Sequence, residues 1–74
     1  MTRRAVQSTN IAEVGYENGV LEVAFKNKEG GITSVYDYEG VPTDVAAALE
    51  EDPSAGTYFA AHIKGRYPFV KVQS

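Results

Sequence analysis

The sequence contains no cysteine, which excludes a disulfide framework and any site built on a thiolate. It has one histidine, His62, and its Gly30-Gly31 pair lacks the spacing of a nucleotide-binding glycine loop. General acid–base catalysis would need a titratable partner for His62, and no spaced ligand pattern for a metal is present. We therefore predict no catalytic residues, no metal site and no cofactor, and we expect a protein that is not an enzyme.

Long apolar runs are also absent. No stretch reaches the roughly 20 apolar residues of a membrane-spanning helix, and no signal-peptide core follows the dibasic Arg3-Arg4. Together with the lack of cysteine, this favours a soluble protein of a reducing cytoplasm, with no membrane partner. We expect residues 1–74 to form a single domain with a thin hydrophobic core.

Positive charge is scarce, because seven Lys and Arg residues stand against ten acids and give a formal net charge of −3. This balance argues against binding to duplex DNA, which requires many cations. The charge is unevenly distributed, with six acids and no base in residues 37–52 and three bases and no acid in residues 53–74. The basic residues nearest the two termini are Arg3, Arg4, Lys64, Arg66 and Lys71. If the termini lie together, these side chains form a basic face on an acidic protein.

A β-hairpin is the clearest local feature of the sequence. Asn18-Gly19 tolerates positive φ at both positions, as a two-residue type I′ turn requires. This turn joins a strand over residues 11–16, with Gly15 as a candidate bulge, to a strand over residues 21–26. The alternation of apolar and polar residues in the second strand predicts one buried face.

A third strand is predicted over residues 32–38, where Tyr36 and Tyr38 point to the same face. Three strands joined by short turns form an antiparallel meander, and one of its faces needs cover. Residues 1–7 and 67–72 are candidates for short edge strands at the N and C termini.

Two short helices follow the strands and supply this cover. Thr43 suits the N-cap of the first helix. Its apolar stripe consists of Val45, Ala48 and Leu49. The second helix is predicted to run to about Lys64 and to stop at Gly65, with Phe59 and Ile63 as its core pair. The fold class is α+β, a small antiparallel meander packed by two helices.

Two groups of side chains are candidates for ligand binding. Tyr36 and Tyr38 could stack bases, but strand aromatics more often pack in the core, which we expect for at least one of them. Tyr58, His62 and Arg66 follow one another at one-turn spacing on the second helix. They form either a polar, partly aromatic ligand patch or an ordinary helix surface.

Taken in order, these motifs resemble the KTSC domain, which occurs at the C terminus of some lysyl-tRNA synthetases and as stand-alone bacterial or phage proteins. The resemblance runs almost end to end and rests on Arg3, Val6, Ser8-Thr9-Asn10-Ile11, Gly15-Tyr16, Leu21, Val23, Phe25, Tyr36-Asp37-Tyr38, Val41-Pro42, Ser54, Gly56, Tyr58-Phe59, Ala61-His62-Ile63 and Tyr67-Pro68. Ala60 departs from it, since relatives often carry a polar residue there. Through the synthetase fusion, the resemblance implies an association with RNA.

The leading hypothesis is a non-enzymatic module that binds RNA or another nucleic acid. The residues near the termini named above would bind phosphates, and Tyr36, Tyr38, Tyr58 or His62 would contact bases. One alternative is a protein-interaction module or homo-oligomer whose contact surface is an apolar face. Another is a small-molecule or nucleotide binder with a cleft between the sheet and the second helix.

Overall fold

The chain forms a five-stranded antiparallel sheet with two helices on one face. The computed structural model describes the backbone of residues 1–73 and the side chains of residues 1–72. The elements are β1 (Arg3–Ala5), β2 (Ile11–Glu17), β3 (Val20–Lys26), β4 (Ile32–Tyr38), α1 (Thr43–Glu51), α2 (Ala55–His62) and β5 (Phe69–Gln73). Each strand pairs with its neighbour in the sequence, in the order β1-β2-β3-β4-β5. The predicted α+β meander, including both short edge strands, is confirmed.

The predicted hairpin joins β2 and β3. Asn18 and Gly19 have φ values of 51° and 80°, and they connect the paired residues Glu17 and Val20. Positive φ at both central positions gives the turn the twist of the flanking strands, which is why this dipeptide sets the register of the hairpin.

The irregularity in β2 does not lie at Gly15, and that expectation is wrong. The register shifts between Ile11 and Glu13, so Ile11 and Val14, three residues apart, both contribute to the buried core. Gly15 is paired in register with Arg3. A Cβ atom built on Gly15 would lie 2.8 Å from the carbonyl oxygen of Thr2. Glycine is therefore needed here for the close approach of β1.

The first helix begins one residue earlier than predicted. Thr43 is the first residue of α1, and Pro42 occupies the N-cap position without a side-chain hydrogen bond. The buried residues of α1 are Ala46 and Leu49, while Val45 packs only partly. The predicted apolar stripe is therefore only partly correct: Leu49 is buried as expected, but Ala46 is buried where the prediction had Val45.

The second helix is shorter than predicted and ends at His62. The amides of Ile63 and Lys64 both bond to the carbonyl of Phe59, and Gly65 adopts a φ of 78° that terminates the helix. Phe59 and Ile63 are buried against the sheet, as expected. The core formed under both helices consists of Ile11, Val14, Leu21, Val23, Tyr38, Val41, Ala46, Leu49, Ala55, Phe59 and Ile63.

The sheet order decides the arrangement of the two terminal segments. Strand β1 is one edge of the sheet and β5 is the other, so the two terminal strands do not meet. The sequence predicted a basic face if the two termini lie together. Because the terminal strands are at opposite edges, this basic face does not form. No helix in the described part of the chain is long and apolar enough to cross a membrane.

We predict that Gly15→Ala destabilises the fold, because the added methyl group must push β1 away from β2. The expected loss is about 1–3 kcal/mol, the usual cost of overpacking. Gly31→Ala is the matched control, since a Cβ there meets its nearest neighbour at an ordinary 3.5 Å. Urea denaturation of the three proteins measures the difference, and equal effects of the two substitutions would contradict this account of Gly15.

Candidate nucleic-acid interface

Five aromatic rings form a connected cluster on the helix-bearing face of the sheet. Tyr36 contacts Phe25 and Phe69 edge to face, with ring centroids 5.8 and 5.5 Å apart. Tyr38 lies 5.4 Å from Phe59 of α2 and 5.6 Å from Phe69 of β5. Strand pairing produces this arrangement, because Tyr38 stands directly opposite Phe69 across β4 and β5. The cluster therefore joins the core to the β5 edge.

The rings differ sharply in exposure. Tyr38 is 6% exposed and belongs to the core, which confirms the expectation for at least one of the two tyrosines. Burial, with a smaller contribution from Tyr36, raises the pKa of the Tyr38 hydroxyl. Tyr36 is half-buried beside the core, and Phe69 is 57% exposed. The cluster thus presents an aromatic surface at its β5 end.

This surface lines a groove of about 340 Å³ between the sheet and α2, which we call the aromatic groove. Its walls are Asn10, Phe25, Tyr36, Tyr38, Gly56, Phe59, Ala60, Lys64, Gly65 and Phe69. Lys64 is the one charged residue in this set, which contains no carboxylate. Lys71 adds a second cation, since its Nζ lies 5.9 Å from the centre of the Tyr36 ring. The groove is therefore aromatic and locally positive on an acidic protein.

A second depression, the polar groove, continues from the aromatic groove along α2. It has a volume of about 810 Å³ and is lined by Gln7, Ser8, Thr9, Asn10, Pro53, Ser54, Gly56, Thr57, Ala60 and Ala61. Asn10, Gly56 and Ala60 line both grooves. A polar side chain at position 60 would stand at this junction.

The two N-terminal arginines line neither groove. Arg3 donates to Glu13 at 3.1 Å and to Glu22 at 3.2 Å on the face of the sheet opposite the helices. Arg4 bonds to Glu50 of α1 at 3.4 Å. Both residues are in β1, at the edge opposite β5, and their charges are partly neutralised by acids. Their prediction as phosphate contacts of the same site is not supported by this geometry.

The helix flank predicted from one-turn spacing is only partly formed. Tyr58 and His62 stack with ring centroids 4.4 Å apart. Arg66 lies beyond the end of α2, in a turn where its backbone amide donates to the carbonyl oxygen of Ile63. The three side chains therefore do not share a helical face, because the helix stops at His62.

The open face of the sheet holds a pair of carboxylates, Glu22 and Asp37, in directly opposite positions of β3 and β4. Burial raises the pKa of the Glu22 carboxyl, and the neighbouring Asp37 raises it further by hydrogen bonding and charge repulsion. The charges of Arg3 and of the N-terminal amine act in the opposite direction. One Asp37 oxygen, Oδ1, is buried without a hydrogen-bond partner. Within the described residues, no group of three acids or histidines is arranged to hold a metal ion.

Sequence reasoning missed Phe69 and Asn10 as site residues. Phe69 was assigned only to an edge strand, although its alternation with Lys71 was a usable signal, since both then face the same side as Tyr36. Asn10 was named only among the residues that carry the family resemblance. No local pattern could bring it to Gly56, 46 positions later, because that contact depends on how α2 packs.

Comparisons with known proteins agree with this architecture. The family model for the KTSC domain matches residues 7–67, which leaves β1 and β5 outside the matched range. An uncharacterised protein of Stutzerimonas stutzeri strain A1501 is 39% identical over 61 residues, covering 80% of this chain and 79% of that protein. The crystal structure of a KTSC domain protein from Yersinia pestis is similar with a TM-score of 0.84 at 30% identity, covering 96% of both chains.

We predict that Asp37→Asn stabilises the protein at neutral pH, by up to about 1 kcal/mol, because it removes a like charge opposite Glu22. The pKa of the Glu22 carboxyl is higher in the folded protein than its ordinary value of 4.5 in the unfolded chain. The folded protein therefore holds this proton more tightly. This carboxyl therefore favours folding at low pH, and its contribution is lost as the pH rises through the folded pKa. Asp37→Asn should flatten that pH dependence.

Urea denaturation between acidic and neutral pH measures the effect. Glu29→Gln, at an exposed position of the β3–β4 turn, is the control for loss of one acid and should change stability little. An Asp37→Asn protein less stable than the wild type at neutral pH would show that the Asp37 carboxylate has a favourable role instead.

Proposed function

Because the chain belongs to the KTSC domain family, whose fold it shares, we propose that it is a non-enzymatic module that binds single-stranded RNA in the aromatic groove. The observation that carries this proposal is an exposed aromatic ring, Phe69, beside the half-buried Tyr36, with Lys64 and Lys71 close by. Unpaired bases stack on such rings, and the adjacent cations bind the phosphates that connect the bases.

The charge distribution supports single strands over duplex DNA. A protein with a net charge of −3 lacks the extended row of cations that a duplex requires. Two lysines at one groove are sufficient for a few phosphates of a flexible strand. Arg66, in the turn after α2, extends this positive region along the chain, whereas Arg3 and Arg4 form ion pairs at the opposite edge.

Tyr58 and His62 form a secondary surface in this proposal. Their stacked rings lie on α2, outside the residues that line the aromatic groove. A longer strand leaving the groove could contact them. We place this activity in the cytoplasm, where single-stranded RNA is available.

We predict that Phe69→Ala weakens binding of a short mixed-sequence RNA at least about fivefold, because one stacking surface contributes about 1 kcal/mol or more. Phe69 is exposed, so the fold should tolerate its truncation. Ile32→Ala, another exposed apolar residue on the neighbouring strand β4, is the control and should leave affinity unchanged. Fluorescence anisotropy at low salt measures the dissociation constants.

Charge removal gives an independent test. The logarithm of the binding constant should fall with the logarithm of salt concentration with a slope near −1.4 for two neutralised phosphates, and Lys71→Gln should reduce that slope by about 0.7. Arg4→Gln removes the same charge at the opposite sheet edge and should not change it. RNA binding that is undetectable at low salt, or equally affected by both substitutions, would rule out the proposed site.

Self-association is a second candidate function, and one specific observation favours it. Three exposed large apolar side chains lie on the edge strand β5: Phe69, Val70 and Val72. An edge strand also has backbone groups without a strand partner on its outer side. A second copy that pairs through β5 would cover both the apolar side chains and the edge.

We predict that, if β5 forms this interface, Val70→Lys converts a dimer to a monomer, because a charge in the apolar edge opposes close pairing. Val70 stands opposite Asp37, so the new ammonium group should not disturb the folded monomer. Ile32→Lys is the control for adding the same charge at an exposed apolar residue on β4. Sedimentation equilibrium measures the oligomeric state of the wild type and both variants. A wild-type protein that remains monomeric at high concentration would exclude self-association as the function.

A further inference from the structure

Asn10 is a polar side chain at the wall of the aromatic groove. It is exposed and lines both the aromatic groove and the polar groove. Stacking alone tolerates every base, because every base has a π-face. A preference requires donors and acceptors held in a known orientation at the base edge. Asn10 is the amide side chain that lines the aromatic groove.

Ser8 holds the Asn10 amide in one orientation. The Ser8 Oγ accepts hydrogen bonds from the backbone amides of Asn10, at 3.2 Å, and Ile11, at 3.1 Å. With both lone pairs used, the hydroxyl donates its proton to Asn10 Oδ1, 2.8 Å away. The Asn10 Nδ2 group, with its two protons, is thereby directed away from Ser8. Ser8 uses one of the two lone pairs of Oδ1.

Gly56 provides the space for this arrangement. A Cβ atom at position 56 would overlap Asn10 Oδ1 and lie 2.8 Å from Ser8 Oγ. The absence of a side chain on α2 therefore lets the Ser8–Asn10 turn approach the helix and places the Asn10 amide at the junction of the two grooves.

We propose that Asn10 recognises an unpaired adenine held among the rings of the aromatic groove. The proposal rests on the proposed RNA binding and names the base. An amide offers a donor and an acceptor side by side, which match the N6 amino group of adenine together with its N7 or N1. Adenine presents this combination on both of its hydrogen-bonding edges. Guanine presents it only on its Watson–Crick edge, as O6 beside N1–H, because its N7 edge has two acceptors, and each pyrimidine also has only one such edge.

The test compares four short single-stranded RNAs, each of one base, with the wild-type protein at low salt. The adenine oligomer should bind at least about twofold more tightly than the others, because adenine offers the matching pair on two edges and every other base on one. Asn10→Asp replaces the amide donor with a second acceptor while keeping the bond from Ser8. It should abolish the adenine preference and favour guanine, whose N1–H and N2–H groups suit a carboxylate.

Two controls separate recognition from folding. Thr9→Ala changes the exposed neighbour of Asn10 and should keep the adenine preference. Asn10→Ala removes the contact without adding charge, and it should bring all four oligomers to similar affinity. Circular dichroism establishes that each variant is folded, and the wild-type preference tests the proposal without any variant.

The outcomes distinguish this proposal from the function on which it rests. Equal wild-type affinity for the four oligomers, or an adenine preference that persists in Asn10→Ala, overturns the role of Asn10 and leaves RNA binding intact. No binding of any oligomer overturns both. If adenosine monophosphate binds as tightly as the adenine oligomer, recognition of adenine is supported. In that case the ligand is a free nucleotide, and RNA as the ligand is overturned.

Discussion

The structure depends on how little of the sheet the two helices can cover. With nine and eight residues, α1 and α2 are each about 13 Å long, whereas a seven-residue strand extends over about 24 Å. The helices bury the centre of one sheet face around Leu49, Phe59 and Ile63. The aromatic rings that continue from this core toward β5 remain partly open. The aromatic groove is a direct consequence of this incomplete cover.

The Tyr36-Asp37-Tyr38 segment shows how alternation along one strand separates three roles. Tyr38 packs in the core, and Tyr36 lies at the wall of the groove. Asp37 points to the opposite face, where it stands against Glu22 and has an unpartnered oxygen. Like charges in directly opposite positions destabilise a sheet. A contribution to the stability of the sheet therefore does not explain the presence of Asp37. The two tyrosines, one in the core and one at the groove, do not form a single stacking platform.

The contact between the Ser8–Asn10 turn and α2 unites residues that are distant in the sequence. Ser8 satisfies two backbone amides and orients Asn10, while Gly56 permits the close approach. These three residues belong to the motifs from which the family resemblance was drawn. Their shared position at the polar groove gives the motifs a physical connection that their spacing did not reveal.

The sequence by itself determined the elements of this protein, because the signals that form them are local. Positive φ at Asn18 and Gly19 sets the hairpin, alternation marks β3 and β4, and Gly65 ends α2. Only the tertiary structure decided which candidate site residues meet. Strand order separates Arg3 from Lys71, and cross-strand pairing brings Phe69 to Tyr38. Such contacts join positions distant in the sequence, and no local pattern encodes them.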